Sequence, residues 1–193
     1  MKILAIDVTS PKLVVALFDG NTITGKTSQE SGKKHNALVM PYIEELLNNA
    51  KLTINGIDVF ACVIGPGSFT GIRIGIATMK ALSFATKKPC VAINSLEEAA
   101  YSYDGKFITA LDALHDNFYY AEFNGSWDKM VDLGCKHIDD IKAKGLPIYF
   151  KEIESTYENL INITKAKVEK GEFAPLEPLY LRKSQAERDR DGD

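Results

Sequence analysis

Long apolar runs are missing from this sequence. No stretch approaches the roughly 20 residues of a membrane-spanning helix, so a protein with helical membrane spans is excluded. The opening MKILAIDVTS turns polar too early for a secretory signal. Cysteine is scarce: Cys62, Cys90 and Cys135 are widely spaced, odd in number and free of any CxxC pair. That pattern offers neither a disulfide framework nor a zinc site and suits a reducing cytoplasm. Surplus positive charge is absent too. With 23 Lys and Arg against 26 Asp and Glu, the net charge of −3 gives this chain alone no large phosphate-binding surface. Low-complexity segments and linkers are lacking as well.

What remains is a globular composition, 45% hydrophobic and 25% charged over 193 residues, enough for a core without metals or disulfides. The pattern predicts strands at residues 2–8, 12–18 and 22–29, joined by tight turns such as Asp19-Gly20-Asn21 into an antiparallel meander. Leu38, Val39, Tyr42, Ile43, Leu46, Leu47 and Ala50 repeat at helical spacing, predicting a helix from His35 to Ala50, with Pro41 either in its first turn or at a kink. Residues 58–64 read as a buried parallel strand, 68–86 as a helix and 89–93 as another buried strand. Ser95 is expected to cap a short helix with Glu97 and Glu98 in its first turn. The strand pattern restarts at residue 107, with strands at 107–111, 117–123, 129–133 and 147–150 and helices at 138–143 and 155–170. This implies an α/β protein of two lobes, 1–100 and 101–183, each with a mixed sheet flanked by helices. A charged tail, 184–193, is expected to be disordered.

The most informative stretch runs from Gly65 to Gly75, GPGSFTGIRIG, between a strand and a helix. It is not a Walker A loop, because Ile72 follows Gly71 where Lys is required, and Thr70 breaks the dinucleotide fingerprint. Gly67, Gly71 and Gly75 lie four apart on one helix face. Such a face lets another backbone approach closely, either inside the chain or across an interface. Asp7, Thr9 and Ser10 follow a strand, where an Asp either makes an Asx turn or, in phosphotransferases, holds a metal–phosphate group. His35 has Val39 at i+4 where a second ligand would stand, so no metal site is expected. No G-x-S-x-G elbow marks Ser10, Ser68 or any other serine as a nucleophile.

The stretch from Asp58 to Ala77, DVFACVIGPGSFTGIRIGIA, resembles the signature of the TsaB (YeaZ) family. Further similar residues are Ile6, Asp7, Thr9 and Ser10, His35 with Pro41, Asn94-Ser95-Leu96-Glu97, Leu111-Asp112-Ala113 and Pro178-Leu179-Tyr180-Leu181-Arg182. The resemblance implies the two-lobed actin-like ATPase fold shared by acetate and sugar kinases, Hsp70 and actin. Two departures stand out: Leu114 follows Asp112-Ala113 where the family carries Arg, and the second lobe is reduced.

By the same resemblance the chain is a non-catalytic paralogue that dimerises with the TsaD catalytic subunit for N6-threonylcarbamoylation of adenosine 37 in tRNA. TsaE, an ATPase, and TsaC, which makes the adenylate donor, complete that pathway. The implied partner interface comprises His35, Leu38, Tyr42, Gly67, Ser68, Phe69, Thr70, Gly71, Arg73 and Gly75, while Asp7, Thr9 and Ser10 form a vestigial phosphate site. No cofactor is expected on this chain, with ATP or ADP at the complex interface. The chain would homodimerise when alone and reach tRNA only through the complex. The rival reading is an enzyme, either an M22-type glycoprotease or a nucleotide-binding kinase.

Overall fold

The computed structural model describes residues 1–28, 35–151 and 156–182. The expected tail lies outside them, as do Gln29 and Ser155 at the ends of two expected elements. Strands β1 (Ile3–Asp7), β2 (Val14–Phe18) and β3 (Ile23–Thr27) form the antiparallel meander, and α1 (His35–Asn49) follows. Pro41 lies inside α1 rather than in its first turn. Then come β4 (Val59–Gly65), α2 (Phe69–Thr86), β5 (Cys90–Asn94) and α3 (Ser95–Ala100). The first sheet has the order β3-β2-β1-β4-β5, with β4 parallel to β1 and to β5. Asn94, not Ser95, caps α3: its side chain accepts from the Leu96 N–H, and Glu97 returns a bond to the Asn94 N–H.

The second sheet repeats the scheme. Strands β6 (Lys106–Asp112), β7 (Asn117–Asn124) and β8 (Met130–His137) form another meander. Helix α4 (Ile138–Lys142) leads to β9 (Ile148–Phe150), which runs parallel to β6 as β4 does to β1. The order β8-β7-β6-β9 mirrors β3-β2-β1-β4. Strand β8 extends four residues beyond its expected end at 133, because its far half pairs with β7 while its side chains stay half exposed or exposed.

Both faces of the first sheet are buried, which explains its nearly continuous apolar strands. Leu4, Ile6, Val15, Leu17 and Phe60 face α1 and α2, through Val39, Ile43, Ile72, Ile76 and Met79. Their alternating neighbours Ile3, Ala5, Val14, Ala16 and Val91 meet α3, the second sheet and α5 (Tyr157–Glu169), through Leu160, Ile161 and Ile163. The expected division at residue 100 falls between β5 and β6, which belong to different sheets. The sheets do separate there, but α5 covers β1, β2 and β3, so this helix of the second half completes the first core. The chain after α5 also returns: Leu176 is buried beside α1 and α2, and the Leu179 N–H donates to the Ile64 carbonyl at 2.9 Å.

The turn from β6 to β7 places Leu114, His115 and Asp116 at φ of 68°, 56° and 58°, three successive left-handed residues without a glycine. Each such residue costs about 1–2 kcal/mol, and glycine's entropy returns about 0.5–1 of that. Leu114 is largely exposed, so little packing is at stake. Leu114→Gly should therefore stabilise the chain by about 0.5–1 kcal/mol in urea unfolding with an unchanged m value.

Candidate functional site

The carboxyl ends of β1 and β4 meet where the Gly65–Gly75 loop enters α2. Ser68 caps α2, its hydroxyl accepting from the Gly71 N–H at 3.2 Å, while its own N–H donates to the Thr9 carbonyl at 2.8 Å. A Cβ on Gly71 would lie 1.8 Å from the Val8 carbonyl oxygen, and one on Gly67 2.7 Å from the Thr9 carbonyl oxygen. On Gly75 it would meet Cys62 Sγ at 3.1 Å and Val8 Cγ2 at 3.2 Å. The glycine face is thus filled by this chain's own first strand and turn. The expectation that these glycines open a face to a partner is corrected: the close approach is internal, between α2 and the end of β1.

Phe69 and Arg73 are engaged inside the chain as well. The Phe69 ring stacks on Tyr180 with centroids 4.5 Å apart, and Arg73 Nε donates to the Tyr180 hydroxyl at 3.1 Å. Arg182 Nη1 then donates to the Ala113 carbonyl at 2.8 Å. Residues 176–182 therefore strap the glycine loop to the β6–β7 turn, a use of the Pro178–Arg182 segment that spacing alone gave no sign of. Thr70 is exposed at the start of α2. Leu38 and Tyr42 are half buried against the α1–α2 core, with Lys26 over the Tyr42 ring. The side chain of His35 lies outside the described residues.

Asp7 is fully buried. Its Oδ1 accepts from both the Thr9 N–H at 2.7 Å and the Thr9 hydroxyl at 2.6 Å, an Asx turn. Asp112, at the matching end of β6, accepts from the Leu114 N–H at 2.7 Å in the same way. Ser10 donates its hydroxyl to the Lys12 carbonyl and Ser95 to the Pro66 carbonyl. The other Asp7 oxygen faces Lys151 Nζ at 3.5 Å, and the same ammonium meets Glu98 at 2.7 Å. The side chains of Lys151 and Glu98 are 5% and 2% exposed. Burial opposes the ammonium, but the Glu98 and Asp7 carboxylates outweigh it and hold the amine above its ordinary pKa. Spacing gave no sign of Lys151 or Glu98, since their partners lie far away in sequence. A small cleft of about 190 Å³ opens beside them, lined also by Tyr103, Tyr149, Phe150 and Asn159.

Burial pushes the Cys62 thiol well above its ordinary pKa, and the half-buried Cys90 rises for the same reason. Among the described residues no three His, Cys, Asp or Glu side chains gather as metal ligands would.

A family model described as TsaD, tRNA N6-adenosine threonylcarbamoyltransferase, matches residues 22–180. The tRNA threonylcarbamoyladenosine biosynthesis protein TsaB of Bacillus subtilis (strain 168) is 29% identical over 160 residues, covering 78% of this chain and 70% of that relative. The TsaB protein of Escherichia coli (strain K12) is 29% identical over 136 residues, 66% of this chain and 58% of that relative. The chain belongs to the TsaD family, in its TsaB (YeaZ) branch. Two Pseudomonas aeruginosa structures share its fold. YeaZ superposes with a TM-score of 0.76 at 21% identity over 93% of this chain and 99% of that one. A protein described as similar to peptidase YEAZ gives 0.77 at 21% identity, over 94% and 99%. The shared architecture is an α/β fold of two mixed sheets flanked by helices.

The two glycine contacts differ in what can yield. At Gly71 the obstacle is backbone, so Gly71→Ala should cost about 3 kcal/mol. At Gly75 the neighbours are side-chain tips, and the helix propensity gained is about 1 kcal/mol, so Gly75→Ala should change stability by less than about 1 kcal/mol. Urea unfolding of both variants checks the contrast.

Proposed function

We propose that the chain acts in tRNA threonylcarbamoyladenosine biosynthesis as a non-catalytic subunit that pairs with a TsaD-like catalytic subunit, which modifies adenosine 37 of tRNA. A TsaE-like ATPase joins the pair, and any ATP or ADP sits at the interface between subunits. The chain reaches tRNA only through the complex, in keeping with its net charge of −3. Without its partner it pairs with a copy of itself.

The observation that carries this reading is the outer surface of α1 and α2. Both helices cover the same face of the first sheet, and their outward residues make one two-helix surface. On α2 these are Arg73, Ala77, Lys80, Ala81 and Phe84, the last 88% exposed. Small residues at helical spacing let a second helix approach, and an exposed aromatic is the kind of anchor that dominates interfaces. On α1, Met40 and Glu44 are exposed, so acidic α1 and basic α2 suit a two-fold arrangement in which each helix meets the partner's other one. With Gly71 and Gly75 turned inward, the pairing surface is the opposite side of the same helix.

The test pairs an exposed-face variant with the natural chain. Ala81→Arg combined with Phe84→Glu should leave the circular dichroism spectrum unchanged. It should weaken binding to a TsaD homologue by about 2 kcal/mol or more, roughly 30-fold in Kd, and abolish self-pairing in light scattering. Unaltered pairing by the variant places the interface elsewhere. A natural chain that does not bind the TsaD homologue, or that modifies tRNA without it, overturns the proposal.

A further inference from the structure

The fold class makes the carboxylate at the end of β1 the natural place for a metal-bound phosphate, and the residues here do not fit that group. One Asp7 oxygen is saturated by the two Thr9 bonds. The other faces Lys151 Nζ at 3.5 Å, and Glu98 holds the same ammonium at 2.7 Å. A divalent ion bound by oxygen needs a distance of about 2.0–2.6 Å. At the Oδ2 side of Asp7 it would stand against a second, buried cation, where like charges repel strongly. Ion and ammonium therefore exclude each other.

We infer that Lys151 is the resident cation of this site: its ammonium fills the charge position between Asp7 and Glu98 and makes the cleft self-sufficient. The placement also explains how the two sheets are tied. Lys151 directly follows β9, and its N–H donates to the Ala110 carbonyl of β6 at 2.7 Å. Its side chain crosses to β1 and α3 of the first half. The ion group is a buried polar bridge between the two halves, beside the apolar packing of the sheets. The same amine that blocks a metal therefore holds the lobes in one arrangement. This inference concerns the chain's interior and does not rest on pairing with TsaD.

Manganese alone is the probe, with free ion followed by electron paramagnetic resonance and stability by thermal melting. The natural chain should bind no manganese through Asp7, and its melting should not respond. Lys151→Met keeps the length of the side chain and removes the charge, leaving two buried carboxylates together. It should melt lower, bind one manganese ion and regain stability with it, and adding Asp7→Asn should abolish that binding. If Lys151→Met does not fold by itself, the readout is whether manganese, or the further changes Asp7→Asn and Glu98→Gln, restore folding. Restoration by either supports the assignment, because it shows that uncompensated charge is the fault. Restoration by neither overturns it, as does a folded Lys151→Met that ignores manganese, or a natural chain that binds the ion and loses it on Asp7→Asn.

Discussion

Everything around the glycine-rich loop depends on one contact, the seating of the α2 backbone against the end of β1 at Gly71 and Val8. With no Cβ between them, the helix begins directly over the strand's last turn. That brings Ser68 into hydrogen-bonding reach of Thr9 and sets Phe69 and Arg73 where Tyr180 can meet them. It also turns Ala77, Ala81 and Phe84 outward on the opposite side. A glycine that looks like an opening for a partner is the reason the helix lies close enough to the sheet to present its other face.

Much of the fold was readable because hydrophobic period and turn chemistry agreed. The meander, the continuous strand β4 and the stripe of α1 each left a local pattern, and their positions match within a few residues. The errors fall where the signal is not local. Strand β8 runs past its apolar residues because an edge strand needs backbone partners more than buried side chains. The cap of α3 moved by one residue, from Ser95 to Asn94, since both residue types suit the role.

At the site, residue types were legible and their direction was not. Spacing put Gly67, Gly71 and Gly75 on one face without saying which way the face pointed. The stacking of Phe69 on Tyr180 was out of reach of spacing, because the two lie more than a hundred residues apart. Of the two readings left open for Asp7, the Asx turn with Thr9 is a contact only two residues long, and it is the one that forms. Glu98 was legible only as a first-turn acid of α3 and Lys151 not at all, since buried charges are placed by tertiary contact rather than by period.

The return of α5 to the first sheet has a consequence for synthesis. As the chain leaves the ribosome, β1, β2 and β3 are made early, yet one face of their sheet stays uncovered until Leu160, Ile161 and Ile163 arrive. The first hundred residues therefore cannot close their own core, and the second meander must form while that face waits. Native pairing between elements so far apart in sequence raises contact order and slows the final collapse. Any segment that shelters the open face in the meantime, a chaperone above all, acts in place of a helix not yet translated.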